Sequence, residues 1–225
     1  MLRDELLVLA EPVLDKVLAH PFWTRLREGS LPAASLAFFI RQDTGHLLPA
    51  YSRALARCAA QARDDADTRL LGHSVLGTLD ARDRLRLRYA ELAPTLGLPE
   101  LGEDHPMARA TQAHCSFFAA AAATSFGAGL GALLPMVWFN SRVSDDLRAR
   151  AVPGSRYARW IAAYHPGDDY GAAVEAFLAM ADRFGGHGPA GRRRELVEWF
   201  SSSLNYEWAF AESSFRCQEP ATGKP

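Results

Sequence analysis

The sequence predicts an all-α protein, a single-domain helical bundle. Three observations carry that expectation. Nearly every segment of the 225 residues repeats its apolar positions with a period near 3.6. The breaks between those segments carry turn chemistry. No stretch alternates apolar and polar residues between turn signals, as a half-buried strand would.

Taken in order, the periodicity predicts a first helix over 3–19, amphipathic and acidic, ending at "HPFW". A long helix over 32–61 follows "REGSLP", with Pro32 suited to its first turn. The third, over 65–93, runs to "LGLPELGEDHP". Helices over 107–123 and 126–148 share "FFAAAAATSFGAGLGALL", whose small residues read as helices packed at close approach. The breaks "AVPGS", "YHPGDD" and "FGGHGPAG" separate helices over 154–164, 168–184 and 190–216, and Gly185–Gly186 suits a helix end. Pro49 and Pro135 fall inside helices, where each removes a backbone hydrogen bond. They read either as ordinary curvature or as the wall of a pocket. Residues 1–225 are expected to form one domain, with the last residues, about 218–225, as a flexible tail.

A hydrophobic content of 48% and a charged content of 23% suit a soluble globular protein. The net charge of -1 offers no footprint for nucleic acid or membrane, and the short basic run "GRRRE" reads as a solvated face. Cys58, Cys115 and Cys217 have no metal-binding spacing and cannot all pair, which points to a reducing, cytoplasmic setting. The N-terminus lacks an apolar signal core, and no run approaches the ~20 apolar residues of a membrane span. No basic recognition helix is present, so DNA binding is not expected.

Two apolar stripes are interrupted by carboxylates. Leu36, Phe39, Ile40, Leu47, Ala50 and Ala54 share a face that includes Asp43, with His46 on its flank. Leu196, Phe200, Ser203, Phe210, Ala211 and Ser214 share another that includes Glu207. A third face, Leu133, Met136, Val143 and Leu147, includes Asn140, and "YARWIAAY" places Tyr157, Trp160, Ile161 and Tyr164 on one side. Burying an unpaired carboxylate is costly, so each needs a partner, a proton or a ligand. If the faces converge, the inventory suits a small, flat, hydrogen-bonding ligand. Two neighbouring carboxylates would also push their pKa values apart, leaving one able to donate a proton.

Several stretches, in order along nearly the whole chain, resemble the thiaminase II (TenA-type) family. These are "HPFWTRLREGSLPAASLAFFIRQD", "SFGAGLGALLP" followed by Trp138, "YARWIAAY" and "SSSLNYEWAF". The resemblance implies a haem-oxygenase-like all-helical fold, a homo-oligomer (dimer or tetramer) and a pocket for a thiamin-derived aminopyrimidine. It implies that Asp43 grips the amino group and ring nitrogen, that Glu207 bonds the ring and moves protons, and that Tyr164 lines the pocket.

Departures from the family pattern fall in the same place. Where the family carries its nucleophilic cysteine, after "LLP", this chain has Met136, and a thioether cannot form a thiolate. Asn140 and His46 stand where the family has aromatics, and its tyrosine before the central signature aligns with Ala113, beside His114 and Cys115. The expected activity is hydrolysis of an aminopyrimidine or another C–N-linked heterocycle by acid/base chemistry, with Glu207 and Asp43 catalytic. Tyr164, His46, Asn140, Met136 and Ala113 would bind substrate, and neither metal nor cofactor is expected. Two alternatives stand beside it. One is a non-catalytic small-molecule binder that kept the pocket and lost the nucleophile. The other is a di-iron enzyme using Asp43, His46 and Glu207, although such sites draw acid-x-x-His pairs from two helices and this chain places one. Haem binding through His20 is weaker still, since His20 precedes Pro21 at a turn.

Overall fold

The computed structural model describes residues 1–98, 100–102, 105–186 and 190–217, and all regular structure among them is helical. The elements are α1 (Leu2–Leu18), α2 (Pro21–Glu28), α3 (Ala33–Gln42), a π-helical turn (Asp43–Leu47) and α4 (Leu48–Gln61). They continue with α5 (Asp65–Leu96), α6 (Arg109–Thr124), α7 (Phe126–Arg150), α8 (Ala158–Tyr164), α9 (Tyr170–Gly186) and α10 (Ala190–Arg216). The expected tail, like the middle of "FGGHGPAG", lies outside the described residues.

Sequence periodicity located these helices to within a few residues, with one omission and one shortening. The stretch read as a break at "HPFW" starts α2. His20 is its N-cap and accepts from the Phe22 N–H, Pro21 occupies the first turn, and Gly29 ends the helix at φ +79°. The helix expected over 154–164 begins only at Ala158, because "PGS" forms a turn in which the Ser155 N–H reaches the Val152 carbonyl.

α7 and α10 cross at the centre, and small residues on α7 make that crossing possible. A side chain at Gly131 would collide with the Leu196 carbonyl of α10, and one at Gly129 with the Cys58 sulfur of α4. Ser203 then donates to the Ala132 carbonyl at 2.7 Å, and Tyr51 to the Leu133 carbonyl at 3.1 Å. The carboxylate-bearing stripes therefore face one interior, in which Leu36, Phe39, Leu133, Leu196, Phe200 and Trp160 are buried. Among the described residues, no helix is long and apolar enough to cross a membrane.

Candidate functional site

The site is built on a local break in helix geometry. Pro49 has no N–H to offer the carbonyl four residues back, and its ring would crowd that carbonyl in a regular helix. The chain answers with the π turn at Asp43–Leu47, in which the Leu48 N–H reaches back five residues to the Asp43 carbonyl. Asp43 is the first residue of that turn. Its side chain is 5% exposed, and its carboxylate makes no hydrogen bond among the described residues.

Asp43 and Glu207 line the same cavity, of about 530 Å³. Such a volume lies within the range of roughly 300–1,000 Å³ typical of small-molecule sites. Asn140 of α7, Tyr51 of α4 and Tyr164 at the end of α8 add polar groups beside the carboxylates, and Met136 of α7 adds its thioether. Trp23, Phe39, Tyr170 and Phe210 supply aromatic surface. Tyr164 is held by stacking on Trp160, with ring centroids 5.0 Å apart, and its hydroxyl accepts from Asn140 Nδ2 at 3.2 Å. Met136 follows Pro135 directly and Leu48 precedes Pro49, so both prolines stand at the cavity wall.

Burial controls the electrostatics here. It pushes the Asp43 carboxyl up to about 7. The Glu207 carboxyl is pushed up to about 8, by burial first and by the charge of Asp43 second. Glu207 Oε1 has no hydrogen-bond partner. At neutral pH Glu207 therefore holds its proton while Asp43 sits near its midpoint, the division of labour that a general acid and its partner need.

Two residues expected at the ligand are elsewhere. His46 lines a separate small cavity with Arg41, Arg86 and His105, and its Nε2 lies 2.9 Å from the His105 carbonyl oxygen. The π turn rotates it away from Asp43, so the acid-x-x-His pair weighed for a di-iron centre does not face one space. Ala113 is on the exposed side of α6. The inward residue is His114, one position and about 100° further round the helix, which lies behind Glu207. Cys115 does not line the cavity, and burial pushes its thiol up to about 11, so it carries no thiolate at neutral pH.

Periodicity also missed part of the wall. Leu70, Ser74, Gly77, Thr78, Ala81 and Arg84 of α5 border the outer end of the cavity, and Arg84 Nε caps the Ala163 carbonyl. Their spacing of three and four was visible, but small and polar residues on a helix face read as solvated surface rather than as a cavity lining.

The fold and the cavity thus define an all-α protein with an aromatic-walled cavity that carries two recessed carboxylates, Asp43 and Glu207, and the exposed Asp80 at its α5 end. Residues 10–217 match the TENA/THI-4/PQQC family, and the chain belongs to that family. It is 26% identical over 205 residues to the aminopyrimidine aminohydrolase of Bacillus subtilis (strain 168), covering 88% of this chain and 82% of that protein. It is also 26% identical to the thiamine biosynthesis multifunctional protein ThiED of Corynebacterium efficiens, of which it spans only 27%. Among solved structures, a TenA homologue from P. horikoshii OT3 superposes with a TM-score of 0.79 at 25% identity, over 96% of this chain and 99% of that one. A TenA homologue from Pyrococcus furiosus gives 0.82 over 95% and 100% at 16% identity, a likeness of fold alone. The fold is the haem-oxygenase-like all-α fold of these structures.

Proposed function

We propose that this protein hydrolyses a C–N bond of an aminopyrimidine or a related heterocycle by acid/base chemistry, without a cysteine nucleophile. The observation that carries the reading is a pair of carboxylates on one aromatic-walled cavity, the buried Asp43 and the part-buried Glu207, neither with a hydrogen-bond partner among the described residues. The named activity of the Bacillus subtilis relative supports it.

In this reading, the Asp43 carboxylate accepts from the amino group of the heterocycle and fixes its orientation, with Tyr164 and Asn140 completing the polar frame. Glu207 in its acid form protonates the leaving nitrogen as water attacks carbon and the C–N bond breaks. The resulting Glu207 carboxylate takes the proton that the attacking water releases, which restores the starting state. Met136 stands at the wall where its unreactive thioether contributes packing only. The cavity extends to α5, so the substrate has room for a second part beyond the ring. The reading includes a homo-oligomer, which light scattering tests by a mass above that of the monomer.

Incubation of candidate aminopyrimidines in 18O-labelled water tests the chemistry. Mass spectrometry should find one labelled oxygen in the product with the unaltered protein and none with Glu207→Gln. Binding without any product would instead favour the non-catalytic reading, to which the loss of the nucleophilic position lends its support.

A further inference from the structure

His114 is a buried imidazole beside Glu207 that the proposed chemistry does not use. It is 1% exposed, and neither ring nitrogen has a hydrogen-bond partner. Such a group loses its water on folding and gains nothing in return, which is rare enough in proteins to need a reason. The ring stacks on Tyr206 at 5.1 Å and 16° and meets Phe118, tilted by 41°, at 4.3 Å. Its Nε2 lies 4.0 Å from Glu207 Oε1. That oxygen is itself buried without a partner. Two unpartnered polar atoms therefore face each other about 1 Å beyond hydrogen-bonding distance. Contacts of this kind are often long in a free enzyme and tighten when ligand fills the site.

We propose that His114 is a positioning residue for Glu207, donating Nε2–H to the Glu207 carboxylate whenever Glu207 gives up its proton. The inference rests on the reading of Glu207 as the proton-moving group. Burial pushes the His114 imidazole down to about 3, so the ring is neutral and carries one N–H, as the role requires. No net proton leaves His114; the N–H only lowers the cost of the carboxylate. Asp43 on the π turn is the other group whose charge acts on Glu207, and the charge of Glu207 in turn acts on Tyr51 of α4, Tyr164 of α8 and Tyr170 of α9. The three tyrosines stay neutral here, because burial raises each of them. His114 is thus the one group from α6 that reports on Glu207.

The experiment is a pH titration of the ligand-free protein, so it does not depend on which heterocycle binds. The infrared carbonyl band of protonated Glu207, identified by its loss in Glu207→Gln, gives the ionisation midpoint. His114→Phe keeps the stacking and removes the donor, and should raise that midpoint by about one pH unit. His114→Gln, which restores a donor, should bring it back most of the way. In the unaltered protein, the Nε2 nitrogen resonance of His114 should move through the same midpoint as the band. Equal midpoints in the wild type and His114→Phe would overturn the proposal. So would a His114 resonance that does not move as Glu207 ionises, a result readable even if His114→Phe fails to fold. Failure of every heterocycle to bind, with these titrations as expected, would sink the functional reading and leave the His114–Glu207 coupling standing.

Discussion

His20 and His114 are both almost completely buried, yet the fold treats them in opposite ways. His20 uses both ring nitrogens: Nδ1 accepts from the Phe22 N–H at 3.1 Å, and Nε2 lies 3.0 Å from Glu212 Oε2. It caps α2 and ties that helix to α10. His114 uses neither nitrogen. The same contrast holds for the acids. Asp182 is bonded by Arg3, Asp146 by Arg27 and Arg150, and Asp67 by Arg183. Asp43 and Glu207, which face the cavity, have no cation against them among the described residues. Where the molecule needs a polar group for structure, it supplies the partner. At the cavity the two carboxylates are left without partners, so part of the folding free energy is spent on holding them ready for something that arrives later.

The largest effect expected from this contrast is on function. Glu207→Gln should lower turnover of the substrate by about 10²–10⁴-fold while the helical circular dichroism is unchanged, the range for loss of a general acid/base. Turnover within a factor of a few of wild type would remove Glu207 from the chemistry.

Next come the two histidines themselves. His20→Ala removes an N-cap and leaves Glu212 with Arg216 alone, and should cost about 1–2 kcal/mol in denaturant unfolding. His114→Phe replaces an unsatisfied polar ring by an apolar one of similar shape, and should stay within about 1 kcal/mol of wild type. Equal losses would mean that the two sites are built alike.

A third effect has a definite sign with pH. The folded Glu207 carboxyl is raised from 4.5 to about 8, so between those values the folded state holds a proton that the unfolded state has lost. The group's contribution is fully present below 4.5 and declines as pH rises through about 8. Glu207→Gln removes that decline. Its free energy of unfolding should exceed the wild type's by a margin that grows from pH 5 to pH 9, reaching about 2 kcal/mol after allowance for relaxation. A margin that shrinks with pH would contradict the assigned burial.

The smallest effect concerns Met136. Thiamin should be a poor substrate, and Met136→Cys should raise its turnover by less than about tenfold, because the new thiol shares its cavity wall with Asn140 rather than with the aromatic found there in the family. Unaltered protein that cleaves thiamin as fast as cysteine-bearing relatives would refute this.

Much of this contrast was legible in the chain. Asp43 and Glu207 each break an apolar stripe, and a 3.6-residue period shows a polar interruption directly. Asn140, Tyr164 and Met136 followed from the same periodicity, and all line the cavity. His46 did not, because the period assumes a regular helix and the π turn inserts an extra residue at that point. The Pro49 signal was present, but it did not say in which direction the helix would yield. Ala113 was an error of one residue, enough to turn a side chain from the interior to the surface. Tyr51 and the α5 wall were missed because their partners are distant in sequence, and only tertiary packing shows that an ordinary helix face borders empty space.

The central claim is that Asp43 and Glu207 go unpartnered for the sake of a ligand. Thermal unfolding with an aminopyrimidine, in the wild type, Asp43→Asn and Glu207→Gln, tests it most directly. Ligand at a hundred times its dissociation constant should stabilise the wild type by about 2.7 kcal/mol and leave both variants unmoved. A stabilisation that survives in both variants, or its absence with every heterocycle tried, would contradict the account.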